Sequence, residues 1–151
     1  MQLSSHFTLE EFCYSETAIR KGINMTPNNA QVMCMIRLCE NVLEPLRMQV
    51  GKPIKITSGF RPPELNAAIG GATNSAHQFG CAADTQIDGM TPLQIIQLVK
   101  ISAFGRIYVD QGIEEFGSWA HLAVTQDPTG APRNNWLRAI HGPDGVAYSV
   151  L

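Results

Sequence analysis

The amino-acid sequence predicts an α+β fold with an antiparallel sheet, on three observations. Apolar residues recur at helical spacing early in the chain, short alternating segments dominate later, and the turns between the last strands are too tight for crossover helices. With 151 residues, 44% hydrophobic and 16% charged, and no internal repeat, low-complexity tract or linker, residues 1–151 read as one globular domain.

Each element has a local reason. Thr8-Leu-Glu-Glu11 has the hydroxyl-then-carboxylate spacing that caps a helix start, so a short helix is expected from Leu9. Thr26-Pro27 reads as a cap before a proline at the first helical position. Val32, Met35, Ile36, Cys39, Leu43 and Leu46 then follow at helical spacing, with a kink expected at Pro45. Pro53 to Ser58 alternates as a half-buried strand, Glu64 to Ile69 as a short helix stopped by Gly70-Gly71, and the polar run to Gln78 as an ordered loop. Ala82 to Ile87 is expected as a second strand, and Thr91-Pro92 opens an apolar helix to Ile101. Arg106–Val109, Ile113–Phe116, Trp119–Thr125, Trp136–Ile140 and Val146–Val150 complete the predicted strands. Trp136 reads either as a core anchor or as a substrate-facing aromatic.

Charge and composition narrow the function classes. A net charge of -2 and a pI near 6.0 leave no basic surface for a phosphate backbone, so no nucleic-acid partner is expected. The start, MQLSSHFTLEEF, has no basic flank and no long apolar run, which predicts neither a signal peptide nor membrane insertion, and synthesis in a cytoplasm. In that compartment Cys13, Cys34, Cys39 and Cys81 are expected to be reduced and mostly buried as small hydrophobes. A monomer is expected.

Two of the four histidines lie where a metal site can form. His77 ends a loop and precedes Asp84 at a strand start, with Gly80 between them to turn the chain back on itself. His121 lies in Trp119-Ala-His-Leu-Ala-Val124, where alternation puts Trp119, His121 and Ala123 on one face. Two imidazoles and one carboxylate leave a fourth zinc position open, as a hydrolytic site requires. Each residue also has an ordinary reading, as a core histidine or a turn aspartate. His6 and His141 read as surface or loop residues, and Cys81 as packing, although a thiolate is a good zinc ligand by chemistry.

Around these residues the chain resembles the zinc D-Ala-D-Ala peptidase family (peptidase family M15). Ser75-Ala-His77-Gln-Phe-Gly80-Cys-Ala-Ala-Asp84 matches that family's Ser-x-His-x-x-Gly-x-Ala-x-Asp motif, and Trp119-Ala-His121 is similar to its third-ligand strand. Ser58-Gly59-Phe60-Arg61 matches its Ser-Gly-Tyr-Arg segment with Phe for Tyr, and Leu65-Asn66 with Gly70-Gly71 continue the match. His6-Phe-Thr-Leu-Glu-Glu-Phe12 and Leu43-Glu-Pro-Leu-Arg47 resemble the small single-domain subfamily common among phage endolysins.

The resemblance implies a hedgehog/D,D-peptidase-like fold, N-terminal helices packed on a small antiparallel sheet that carries the zinc site. It implies one Zn2+ per chain on His77, Asp84 and His121, and hydrolysis of peptidoglycan peptides. Arg61 is then the cationic fork for a substrate carboxylate or developing oxyanion, with Ser58, Ser75 and Trp119 beside the substrate. The general base departs from the pattern. The family's Glu-x-x-His position holds Ser118, and the alternative histidine position holds Trp119. Asp110-Gln-Gly-Ile-Glu-Glu115-Phe resembles the subfamily's Asp-Gln-Leu-Ile-x-Glu-Phe, which makes Glu115 the expected base, and strand alternation lets only one of Glu114 and Glu115 face the site.

Three functions follow as expectations: an endopeptidase of stem peptides or cross-links, a D-alanyl-D-alanine carboxypeptidase, or a zinc-stabilised wall-binding or virion domain without catalysis. The first would reach the periplasmic wall after release or by virion delivery. The segment 127–151 carries no chemical motif.

Overall fold

The helices begin where short polar side chains can cap them. A computed structural model describes residues 1–151. In it Thr8 and Glu11 cap α1 (Leu9–Phe12) reciprocally, as the sequence predicts. An unanticipated α2 (Glu16–Lys21) starts on the Ser15 hydroxyl and stops at Gly22 in the left-handed conformation; it is too short to show a helical period. The cap of α3 (Asn29–Leu38) is Asn28, which exchanges hydrogen bonds with Gln31, and Thr26-Pro27 lies before the helix.

The kink expected at Pro45 takes the form of a π-helical turn over Cys39–Leu43, followed by α4 (Glu44–Val50). There the Glu44 amide reaches back five residues to the Cys39 carbonyl. Pro45 thereby falls in the first turn of α4, where its missing donor costs little.

Beyond β1 (Lys55–Ser58) come α5 (Pro63–Ala68), a 3-10 turn over Ala76–Phe79, β2 (Ala82–Gln86) and α6 (Pro92–Ile101), which Thr91 and Gln94 cap. Arg106 to Tyr108, predicted as strand, belong to α7 (Ala103–Tyr108). The Ser102 hydroxyl accepts from the Gly105 amide and starts a helix, which overrides the strand-like Arg-Ile-Tyr-Val alternation. β3 (Val109–Glu115), β4 (Trp119–Val124), β5 (Asn135–Gly142) and β6 (Gly145–Val150) follow.

All six strands form one sheet in the order β1-β2-β4-β3-β5-β6. Every neighbouring pair is antiparallel except β3 and β5. That parallel pair needs no helix, because the loop 125–134 only steps past the start of β3 before β5 enters on its other side.

The sheet has two unlike faces. Ala83, Ala120, Leu122 and Trp136 join the main cluster of 23 buried hydrophobic residues, with Met35, Leu38, Ile96 and Val99 of the helices. Trp136 is therefore a core anchor. Its ring lies over Gly112, where an added Cβ would come within 2.6 Å of it. The other face carries Asp84, His121, Ile113 and Leu137 in register across β2, β4, β3 and β5.

The cysteine expectation is corrected. Cys34 of α3 and Cys81, just before β2, form a disulfide, leaving Cys13 and Cys39 free. Spacing could not foretell it, because α3 and the turn at Gly80 are far apart in sequence and meet only when α3 packs on the sheet. No helix is long and apolar enough to cross a membrane.

Candidate metal centre

Two tight turns and two strands bring the ligand candidates together. Gly59 passes so close to Phe12 that an added Cβ would lie 2.6 Å from its carbonyl oxygen, and here the Gly59 carbonyl accepts from His77 Nδ1 at 2.7 Å. Gly80 adopts φ +71, which turns the chain from His77 into β2; a side chain there would lie 2.5 Å from the Gln31 carbonyl oxygen. Asp84 and His121 are then direct cross-strand partners of β2 and β4. A one-residue slip of either strand would turn its ligand into the core.

The donor atoms converge. His77 Nε2 lies 3.2 Å from Asp84 Oδ1 and 3.1 Å from His121 Nδ1, and the latter pair is closed by 3.0 Å between His121 Nδ1 and Asp84 Oδ1. All three residues are buried, at 1%, 4% and 5% exposure, so solvent does not satisfy these atoms.

His77 Nδ1 is committed as donor to Gly59, so in the neutral ring Nε2 presents a lone pair to a carboxylate oxygen. Two acceptors this close call for a cation between them. Donors held about 2.0–2.1 Å from a tetrahedral zinc lie roughly 3.3 Å from one another, near the spacing observed. Two imidazoles and a carboxylate with one direction open fit a single Zn2+.

Charge around the triad is ordered. Burial alone would raise the Asp84 carboxyl, but when the rings are protonated instead, attraction to His77 and hydrogen bonds from both imidazoles outweigh it and hold the group well below the usual carboxylate range. Burial lowers the Arg61 guanidinium somewhat, opposed by Asp84 and Glu115. Arg61 Nη1 is 3.9 Å from Asp84 Oδ2, and its Nη2 donates to Ser75 Oγ at 3.3 Å. Ser75 also accepts from the His77 amide, so one hydroxyl braces both the cation and the ligand turn.

Glu115 Oε1 stands 3.8 Å from His121 Nδ1 on the triad's side of the sheet. Burial raises its carboxyl above the ordinary value, partly offset by His121. Glu114 points to the other face, accepting from the Gly117 amide and from Arg138 Nε at 2.9 Å each. Ser58 pairs with Asp84 across a bulge and, with Trp119, lines the same cleft of about 940 Å³.

Cys81, the alternative ligand, is tied up in its disulfide. His6 bonds Glu44 at 2.7 Å, far from the site. His141, read from sequence as a surface or loop residue, is exposed as expected, and from β5 it also lines the cleft, beside Tyr148 of β6 and Phe116 of the turn after β3. Alternation from Leu137 through Ala139 to His141 was the available signal for it.

Fold and site together define an α+β protein whose sheet carries one buried His-Asp-His group able to hold a single metal ion. A family model described as Peptidase M15 matches residues 5–123, most of the chain, and the chain belongs to that family. It is also 46% identical over 43 residues to a zinc D-Ala-D-Ala carboxypeptidase from Streptomyces albus G. That match covers 28% of this chain and spans only 17% of the length of the relative.

Proposed function

We propose that this chain is a zinc-dependent peptidase of peptidoglycan peptides, an endopeptidase that cuts stem peptides or their cross-links in the manner of phage endolysins. The observation that carries the reading is the convergence of buried His77 with Asp84 and His121, which face an open cleft that Glu115 and Arg61 also line. His77, Asp84 and His121 hold the metal, one per chain, in a monomeric single-domain protein. The match to a relative named for D-Ala-D-Ala cleavage supports the substrate class.

Bound zinc supplies a Lewis acid for the scissile carbonyl and acidifies water. Glu115 takes the proton of the attacking water and returns it to the leaving amine, a role that suits a carboxyl whose pKa burial has raised. Arg61, held by Ser75, binds a substrate carboxylate or the oxygen on which charge develops. Ser58 and Trp119 border the peptide. Endopeptidase action is favoured over carboxypeptidase action because the cleft runs from Ser15 and Thr17 on one side to Val146 and Tyr148 on the other, room for chain on both sides of the bond. The wall is reached after release or by virion delivery.

Zinc-loaded protein should split cross-linked muropeptides, read by mass spectrometry, and lose the activity to chelator. Glu115→Gln should retain zinc and lose about 100-fold or more in rate. Release of free alanine alone would make the protein a carboxypeptidase. Wall binding without new amino groups, unchanged by Glu115→Ala, would leave a non-catalytic binding domain.

A further inference from the structure

Phe116 and Asn134 are the two non-glycine residues with positive φ. Phe116, at φ 57, is followed by Gly117 at φ 67, and the Ser118 amide closes the turn on the Glu115 carbonyl at 2.9 Å. Positive φ at both central positions is the pattern that favours Asn-Gly, so an aromatic at the first of them is strained. The strain is held by what the ring meets. Phe116 stacks on His141 with centroids 4.1 Å apart and planes at 9°, and meets Trp119 edge-on at 5.7 Å. Its amide donates to the Ala139 carbonyl at 3.0 Å, which pins the turn to β5.

His141 belongs to the β5–β6 hairpin, which lies beyond residue 123, where the family match ends. On the same side of that hairpin Val146 and Tyr148 are 47% and 57% exposed and line the cleft. Tyr148 lies near enough to Glu115 to feel its charge. The cleft thus has unlike walls: Arg61 with serines on one side, and on the other the rings of Phe116, His141 and Tyr148 with the Glu115 carboxylate beside them and Arg133 further along the lining.

We infer that Phe116, His141 and Tyr148 form the specificity-determining wall for the uncharged, extended part of the peptide, on the side of the scissile bond away from Arg61. Ring faces suit aliphatic and amide surface, and the Glu115 carboxylate beside them disfavours an anionic group there. The inference rests on the peptidase reading above and names where its substrate selectivity resides.

The test compares zinc-loaded wild type with Phe116→Asn and Tyr148→Ser. Asparagine suits the turn, and Tyr148 is exposed, so neither change opens the core. Two substrates are used: a sugar-free cross-linked stem-peptide dimer, and a minimal fragment of it, capped at both ends and carrying the same scissile bond, that reaches only the metal donors and Arg61. Both variants should lose about tenfold in kcat/KM on the dimer, through KM, and stay within about twofold on the fragment. Dimer binding to Glu115→Gln protein should weaken by the same factor when either change is added. Equal losses on both substrates, no loss on the dimer, or a loss seen only when sugars are attached would each overturn the inference. If wild type cleaves neither substrate, the peptidase reading fails. The binding arm still decides the wall: weakened dimer binding supports it, and unchanged or undetectable binding overturns it.

Discussion

The two faces of the sheet are built from the same strands yet solve opposite problems. On β4 the inward residues Ala120, Leu122 and Val124 are apolar and buried against helices, and every one gains from leaving water. One residue out of phase, Trp119 and His121 look into the cleft, where the buried atoms Trp119 Nε1, His121 Nε2 and Arg61 Nε have no hydrogen-bond partner. Natural interiors leave few such atoms unmatched. A face that keeps unsatisfied donors is arranged for something that arrives later. The packed face holds the fold, and the open face holds its polar groups in readiness at some cost in stability.

Substitutions on the two faces should therefore separate function from folding. Asp84→Ala should abolish zinc binding, read by metal analysis, and lower kcat/KM by about 1,000-fold or more, roughly 4 kcal/mol, while the far-UV CD spectrum is kept. Leu122→Ala, one face away, should cost about 3 kcal/mol in a denaturant titration and leave one zinc per folded chain. Loss of zinc in folded Leu122→Ala would show the faces to be coupled rather than separable.

The smallest effect belongs to the rim, where Asp110 accepts two charge-assisted bonds from Arg133 Nε and Nη2 and one from its amide. Burial alone would raise the Asp110 carboxyl, but these bonds outweigh it and lower its pKa. A lowered pKa means the stabilisation is present above the unfolded aspartate value of about 3.9 and is lost as pH falls through the folded value. Asp110→Asn should cost under about 1 kcal/mol at pH 7, since Arg133 is mostly exposed, and the difference from wild type should shrink in denaturant titrations below pH 4.

What could be read from sequence followed the range of the signal. The caps at Thr8 and Thr91, the ligand turn from His77 to Asp84 and the alternation around His121 are local, and the structure places these elements as expected. The period of a strand put Glu114 and Glu115 on opposite faces, and the likeness of Asp110-Gln-Gly-Ile-Glu-Glu115-Phe to the subfamily segment chose Glu115 between them. Failures came where a stronger neighbour or a distant partner decided. Ser102 made helix of a segment that alternates like a strand, and Asn28 out-competed Thr26 as a cap because Gln31 could answer it. The parallel pairing of β5 depends on which side of β3 the loop 125–134 delivers it. The aromatic wall was illegible because Phe116, His141 and Tyr148 meet only after β5 and β6 have joined the sheet.

The bond between Cys34 and Cys81 gives the domain a dependence on its surroundings that no side-chain packing can supply. It spans a sequence separation of 47, and in chain-entropy terms closing such a loop removes freedom from the unfolded chain worth about 4 kcal/mol. Glutathione-poised compartments keep such thiols open, whereas oxidising ones close them. Because Cys81 lies between His77 and Asp84, the segment that carries two of the three metal donors is also the segment whose closure depends on electron supply.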